Sequence, residues 1–354
     1  MNSKQLAKWR KLYEVMMKIT ELQPWDIIPE EAPFIYNKRE GKEQVFFNVM
    51  RQSAAGFGVI CYPCFYDYFF FQKRLKSQNM KKQPFMFMDN KFLCMWGDRE
   101  DVDKENKALI KELGYKFRGK GGWLFFSAVE QRCLPRFLTE TEVEFLCDAL
   151  NNLYSMLKAV CEEGLQVDFE KRYTVFRKCE KNGKWVNSPG KPDFPEEVIT
   201  KLGESEGIGR IAKMPKGNTV IELGEYCLPV PCQEKGTNIC YFPLFITVMD
   251  SKTGEKLDSR MLSYRDVREK ELFDIIIRLS ERLGKIKQIK INDEFTKAAL
   301  VDFCQKADIK LQFRQKPLKN TDIFMEEVYD EFYRELGGDR LKEGMESKGS
   351  RGKR

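Results

Sequence analysis

Apolar and polar positions follow helical spacing in some stretches of the chain and extended spacing in others. Leu6, Trp9, Tyr13 and Met16 recur every three to four residues, which predicts an amphipathic N-terminal helix. The helix is expected to stop near Gln23–Pro24–Trp25, because proline cannot continue a helix and disfavours it in the preceding residue.

The rest of the first half mixes strand patterns with helical ones. Short strands are predicted at Val45–Val49, Phe57–Cys61, Phe85–Met88, Phe92–Trp96 and Trp123–Ser127. Helices are predicted at Tyr66–Ser77 and at Asp101–Leu113, where Gly114 is a stop signal. This mixture is typical of an α+β domain.

A long helix is predicted to close this half. Thr139-Glu-Thr-Glu142 is a capping box, in which the hydroxyl and the carboxylate each satisfy a free backbone N–H. Apolar residues then recur at helical spacing as far as Val160, and the helix is expected to end near Glu163–Gly164. We place the domain boundary there, which gives an N-terminal domain of residues 1–164.

The second half, residues 165–336, begins with a predicted hairpin of Tyr173–Lys178 and Trp185–Val186 around Asn182–Gly183. A short helix is expected at Glu196–Leu202. From Thr219 to Leu336 the predicted order is β-β-β-α-β-α-β-α, a mixed-sheet α/β domain. Its elements are Thr219–Tyr226, Tyr241–Met249, Lys256–Leu262, Asp266–Leu283, Ile286–Ile291, Glu294–Lys306, Ile309–Phe313 and Asp322–Leu336. The polar, basic tail 337–354 is expected to be disordered.

Composition adds a cellular setting. No apolar run approaches the roughly 20 residues that span a bilayer, and no apolar segment follows the basic N-terminus, so neither a membrane partner nor a signal peptide is expected. The eleven cysteines are scattered, which suits reduced thiols in the cytoplasm. A net charge of +7 permits contact with nucleic acid without requiring it.

The chain contains no histidine, and this absence restricts its chemistry. Ser-His-Asp and Cys-His nucleophile pairs, histidine general bases and imidazole metal ligands are all excluded. A catalyst would need carboxylates, lysine, tyrosine, or a metal held by oxygen or sulfur.

Two short motifs carry little functional information. Cys61-Tyr-Pro-Cys64 has the spacing of a redox or zinc motif, but a second such pair is missing, and buried structural thiols explain it better. Gly207-Ile-Gly209-Arg210 resembles part of a phosphate loop without the third glycine.

A basic, glycine-rich segment offers a candidate nucleic-acid interface. In Lys116-Phe-Arg-Gly-Lys-Gly-Gly-Trp123, the side chains of Arg118 and Lys120 are candidates for phosphate contacts, and Trp123 for stacking on a base. The alternative is a turn that leads into a strand, with Trp123 in the core.

The strand order of the C-terminal domain is similar to the ribonuclease H-like fold. In that fold, carboxylates on the first strand, after the fourth strand and on the last helix hold two Mg²⁺ ions that activate phosphodiester hydrolysis. The resemblance implies Glu222, Asp293 and Asp322 or Glu326 as catalytic residues, with Glu222 and Asp293 as metal ligands. Asp293 and Asp322 could equally be helix caps, and the usual first-strand residue is aspartate rather than glutamate.

Several stretches also resemble a group of uncharacterised bacterial proteins that join two domains of unknown function. They are Leu22-Gln-Pro-Trp25, Leu113-Gly-Tyr-Lys-Phe-Arg-Gly-Lys120, Leu134-Pro-Arg-Phe-Leu-Thr-Glu-Thr-Glu-Val143 and Leu228-Pro-Val-Pro, together with Phe242-Pro-Leu-Phe, Val248-Met-Asp and Thr253-Gly. The resemblance implies a bacterial, cytoplasmic protein and assigns no activity to it.

The leading interpretation is therefore a binding or interaction protein without a cofactor and with an unidentified partner. A magnesium-dependent nuclease, or an inactive relative of one, is the first alternative, and single-stranded nucleic-acid binding is the second. Whether the protein is an enzyme stays open at this point.

Overall fold

The computed structural model describes residues 1–38, 43–53, 56–75, 88–203 and 206–335, which divide into two compact units. Of the described residues, one unit comprises most of 1–72 together with 88–195, and the other comprises 73–75, 196–203 and 206–335. Both combine helices with a mixed sheet, which confirms the α/β class. The predicted tail 337–354 and the predicted strand Phe85–Met88, apart from Met88, lie outside the described residues.

In the described part of the first unit, a seven-stranded sheet has the order β5-β4-β3-β2-β1-β6-β7. Its neighbours are antiparallel except for β1 and β6, which are parallel. The strands are β1 (Phe34–Asn37), β2 (Gln44–Ser53), β3 (Gly56–Tyr62), β4 (Lys91–Gly97), β5 (Trp123–Val129), β6 (Thr174–Cys179) and β7 (Trp185–Gly190).

Helices cover both faces of this sheet. They are α1 (Ser3–Glu21), α2 (Phe65–Leu75), α3 (Lys104–Leu113) and α4 (Glu140–Cys161). The main core lies between one face of the sheet and the apolar stripes of α1 and α4. Phe47 of β2 points into this core. Strand residues alternate between faces, and the preceding Phe46 accordingly stacks on Tyr68 of α2, with 4.8 Å between ring centroids.

The predicted boundary after residue 164 needs correction. Strands β6 and β7 belong to the first sheet, since Ile35 of β1 pairs with Phe176 of β6. Val175 lies in the main core of this unit, and Phe194 contacts Phe46 and Tyr68. The local hairpin signal was right, but periodicity could not reveal which sheet the hairpin joins.

The second unit contains the predicted β-β-β-α-β-α-β-α order, preceded by a helix and interrupted by a small hairpin. Its strands are β8 (Val220–Cys227), β9 (Cys232–Gln233), β10 (Cys240–Tyr241), β11 (Leu244–Asp250), β12 (Lys256–Leu262), β13 (Gln288–Ile291) and β14 (Lys310–Phe313). Its helices are α5 (Glu206–Lys213), α6 (Arg268–Leu283), α7 (Glu294–Ala307) and α8 (Lys319–Glu335).

Five of these strands form one sheet with the order β12-β11-β8-β13-β14. The strands β12, β11 and β8 are antiparallel neighbours, whereas β13 and β14 run parallel to β8. The central strand β8 presents Ile221 and Leu223 to the core with α6 and α7. Tyr226 faces Met325 and Tyr329 of α8 on the opposite side. Alternate side chains of β8 therefore face α6 and α7 on one side of the sheet and α8 on the other.

Two local predictions differ from the structure. The segment predicted as a helix at Glu196–Leu202 has no regular secondary structure. Its backbone is hydrogen bonded to α7 instead, with Thr200 N donating to Ala298 O and Leu202 N to the Asp302 carboxylate, both at 2.9 Å. The glycine motif at Gly207–Arg210 lies inside α5 and forms no loop.

Candidate functional site

Glu222, the predicted first-strand ligand, supports helix α8. Its side chain is 3% exposed. One carboxylate oxygen accepts the backbone N–H of Asn320 at 2.7 Å, in the first turn of α8, and the other accepts the Ser251 hydroxyl at 3.2 Å. The Ser251 oxygen in turn accepts a hydrogen bond from Lys290 Nζ. These donors hold the Glu222 carboxylate by a helix N-terminus, where negative charge is stabilised.

Asp322 lies on the same face of the sheet and is also held by several donors. Its Oδ1 accepts the Tyr226 hydroxyl at 2.6 Å, while Oδ2 accepts Asn292 Nδ2 at 3.1 Å and the backbone N–H of Leu318 at 2.5 Å. Burial, with the Asp322 charge adding to it, raises the pKa of Tyr226 well above its ordinary value. Glu326, the alternative ligand on α8, is exposed.

Asp293 belongs to the other face of the sheet. It is the N-cap of α7, and its Oδ1 accepts the backbone N–H of Thr296 at 2.9 Å. The Thr296 hydroxyl lies 3.2 Å from Asp293 Oδ1 and 2.6 Å from Oε1 of Glu225 on β8. The first-strand carboxylate close to Asp293 is therefore Glu225 and not Glu222, because residues three apart on a strand point to opposite faces.

A buried arginine at the start of α6 completes this cluster. Arg268 donates from Nε and Nη2 to the two oxygens of Glu225, both at 2.6 Å, and from Nη1 to Glu269 at 3.1 Å. The side chains of Arg268 and Glu225 are only 8% and 5% exposed. The guanidinium also lies over the Phe295 ring, 3.9 Å from its centroid. A paired, bidentate arrangement of this kind lets a low-dielectric interior hold both charges.

The electrostatics of the cluster centre on this guanidinium. Burial alone would lower the pKa of Arg268, but the charges of Glu225, Glu269 and Asp293 outweigh burial and raise it. On the face of the sheet that packs against α6 and α7, these three carboxylates thus stabilise the charge of Arg268. Within the described residues, no three Asp, Glu or Cys side chains are grouped so that they could hold a metal ion.

The candidate nucleic-acid residues Arg118 and Lys120 lie in the loop before β5, and Trp123 is the first residue of that strand. Arg118 and Lys120 are exposed, whereas Trp123 is half-buried against the main core. The Arg99 guanidinium lies over the indole, 5.7 Å from its centroid. The loop is fixed by Asp98, which accepts the backbone N–H of Gly121 at 2.6 Å. Base stacking at this position would have to share the indole with Arg99.

The Cys61–Cys64 pair lacks the electrostatics of a redox site. Cys61 is buried in the main core, and burial raises the pKa of its thiol well above the ordinary value. Burial also raises the pKa of Cys64 to about 11, and its thiol donates to Asp67 at 3.0 Å. Reactive thiols have lowered pKa values, so the raised values argue against a redox role. The prediction of two buried thiols is correct for Cys61 and wrong for Cys64, which is exposed.

Sequence reasoning missed Glu225 and Arg268. One signal was present: Glu225 continues the alternation of Ile221 and Leu223, which places it on the core-facing side of β8. A charged residue in a core-facing position needs a buried partner. Nothing in the local pattern identified that partner as Arg268, forty-three residues away along the chain.

Comparisons with known proteins follow the division into two units. Residues 9–177 match the family model of a domain of unknown function, DUF7309, and residues 208–329 match that of another domain of unknown function, DUF6930. No curated protein matches the chain. Among the described residues, no helix has both the length and the apolar character needed to cross a membrane. The chain thus joins two different domains of unknown function, the organisation that its sequence predicted.

Proposed function

We propose that this protein is a non-catalytic interaction protein whose C-terminal unit is an inactive relative of the ribonuclease H-like enzymes. The observation that carries the proposal is the buried bidentate pair of Arg268 with Glu225, beside Asp293. In a two-metal nuclease, carboxylates from the first strand and from the end of the fourth strand bind divalent cations. Here the carboxylate at the corresponding end of β8, Glu225, is paired with a guanidinium, and Thr296 joins it to Asp293 after β13.

The strand order and directions of the five-stranded sheet support the fold assignment within this proposal. The positions of the other predicted ligands support the absence of catalysis. Glu222 and Asp322 accept hydrogen bonds on the α8 face, so their oxygens are already engaged away from Asp293. A metal ion would have to displace Arg268 or these donors, and leaving a buried charge without its partner is costly.

The cellular setting belongs to the same proposal. All eleven cysteines are free thiols in the structure, which suits a reducing cytoplasm. A bacterial source is inferred from the sequence stretches described above. Single-stranded nucleic-acid binding through Arg118, Lys120 and Trp123 stays an alternative, and the stacking of Arg99 on Trp123 weighs against it.

The test is a titration with Mg²⁺ and Mn²⁺ followed by thermal shift, with wild type and Asp293→Asn compared at constant ionic strength. We expect equal metal-induced shifts in the two proteins, because Glu225, the first-strand carboxylate close to Asp293, is already paired with Arg268. A larger shift in wild type, or metal-dependent cleavage of an RNA–DNA hybrid that Asp293→Asn abolishes, would contradict the proposal.

A further inference from the structure

A second arginine, in the first unit, is held quite differently from Arg268. Arg177 of β6 is half-buried at the edge where β6, β7 and α4 meet. Its Nε donates to Asn152 Oδ1 at 2.7 Å, and its Nη1 donates to Ser155 Oγ and to Asn187 Oδ1, both at 2.9 Å. All three acceptors are neutral, so the guanidinium is oriented without being neutralised.

The rest of the surroundings keep this side chain in place. The guanidinium lies over the Trp185 ring, 5.4 Å from its centroid. Asn187 Nδ2 donates back to the Ser155 carbonyl at 2.9 Å, which ties β7 to α4. Five N–H donors are available on an arginine side chain. Nε and Nη1 use theirs on the three neutral acceptors, so the two donors of Nη2 lack an acceptor among the described residues.

The charge balance points in the same direction. Burial lowers the pKa of Arg177, and Tyr36 and Asp148 offset this only in part. Asp148 is exposed and accepts hydrogen bonds from the Tyr36 hydroxyl at 3.1 Å and from Asn152 Nδ2 at 3.3 Å. It attracts the guanidinium through space without forming an ion pair with it. A partly desolvated positive charge held by neutral groups attracts a charged acceptor.

From this geometry we infer that Arg177, positioned by Asn152, Ser155 and Asn187, is a binding site for the oxyanion group of a small phosphate or carboxylate compound. The anion accepts the two N–H groups of Nη2, in a charge-assisted contact that the fold has oriented in advance. The site lies in a different unit from Arg268, and it is independent of the function proposed above.

The inference is tested with inorganic phosphate and with acetate at constant ionic strength. Phosphorus NMR line broadening reports phosphate binding, and thermal shift of the full chain reports the binding of both anions. Three variants are compared with wild type. Arg177→Gln removes the site, Asp148→Asn removes the neighbouring negative charge, and Lys178→Gln is the matched control. Lys178 is the next residue on the strand, exposed and on the other face, so its loss changes net charge without touching the site.

We expect Arg177→Gln to weaken binding by about tenfold or more, as loss of a charge-assisted contact does. Asp148→Asn is expected to strengthen binding by roughly two- to fivefold, because it removes a repulsive charge. Lys178→Gln should bind as wild type does. A purely structural role for Arg177 does not predict the gain in Asp148→Asn, so this variant decides the question even if Arg177→Gln is unstable.

Tighter binding of phosphate than of acetate would assign the site to phosphate compounds, and the reverse order to carboxylates. Equal binding of both anions by wild type, Arg177→Gln and Asp148→Asn would overturn the inference.

Discussion

Arg268 and Arg177 show how the partners of one residue type determine what it does. Arg268 is almost fully buried and forms a bidentate pair with Glu225, so its charge is used within the fold. Arg177 is half-buried and donates only to neutral acceptors, so its charge remains available to a ligand. At this scale, burial and the identity of the acceptors separate a structural cation from a binding one.

The structural role of Arg268 can be measured directly. We expect Arg268→Met to lower the free energy of unfolding by about 3–5 kcal/mol, because it leaves the Glu225 carboxylate buried without its partner. The matched control is Arg278→Met on the same helix. Arg278 is 44% exposed and pairs with Asp258 at the surface, and such a pair contributes about 0–1 kcal/mol. Urea unfolding of both variants measures the difference.

Comparable losses in the two variants would contradict a special role for the buried pair. A second comparison separates the cost of an unpaired buried charge from the cost of lost packing. The double variant Glu225→Gln with Arg268→Met removes both charges, and it should recover part of the lost stability relative to Arg268→Met alone.

Helix α4 illustrates what local signals decide. The capping box at Thr139 and Glu142 was readable from four consecutive residues, and the structure contains both of its hydrogen bonds. The helix begins at Glu140 and ends at Cys161, close to the predicted bounds. The structure adds Arg136, which donates to both oxygens of Glu142. Local chemistry fixed the start of the helix, whereas tertiary contact strengthened the cap.

The cap makes a pH-dependent contribution to stability. Burial would raise the pKa of Glu142, but Arg136 and Thr139 outweigh burial and lower it. The folded pKa therefore lies below the unfolded value of about 4.3. The resulting stability is present above that value and is lost as the pH falls through the folded pKa.

Glu142→Gln should consequently cost about 1 kcal/mol at neutral pH, and the difference from wild type should shrink in acid. The control Glu144→Gln removes an exposed carboxylate of the same helix and should change stability by less than about 1 kcal/mol. Thermal unfolding of wild type and of the two variants, from neutral pH into strong acid, measures both differences in stability. A gap between wild type and Glu142→Gln that stays constant down to strong acid would refute the assignment.

Across the whole molecule, each unit has its own sheet and its own core. Among the residues that the structure describes, strands of the first sheet pair with one another, and so do those of the five-stranded sheet. The cores are likewise separate, one around α1 and α4 and the other around β8, α6 and α7. Each unit therefore meets the physical requirements of a domain.

This organisation predicts how fragments behave. A fragment of residues 1–195 should unfold cooperatively in urea, because it contains the complete seven-stranded sheet. A fragment of residues 1–164 should not, since it lacks β6 and β7, exposes the edge of β1 and removes Val175 from the core. Circular dichroism of the two fragments during urea unfolding measures their cooperativity. Equally cooperative unfolding of both would support the boundary at residue 164 that was predicted from the sequence.

By itself the sequence determined the features that depend on neighbours along the chain. It predicted the amphipathic helices, the caps, the order β-β-β-α-β-α-β-α and the exclusion of histidine chemistry, because spacing and residue type are local properties. Only the tertiary structure decided which face of β8 each acid occupies, which sheet receives the hairpin of β6 and β7, and where Glu196–Leu202 finds its hydrogen-bond acceptors. These outcomes depend on partners far away in sequence, as Glu225 with Arg268 and Arg177 with Asn152 demonstrate.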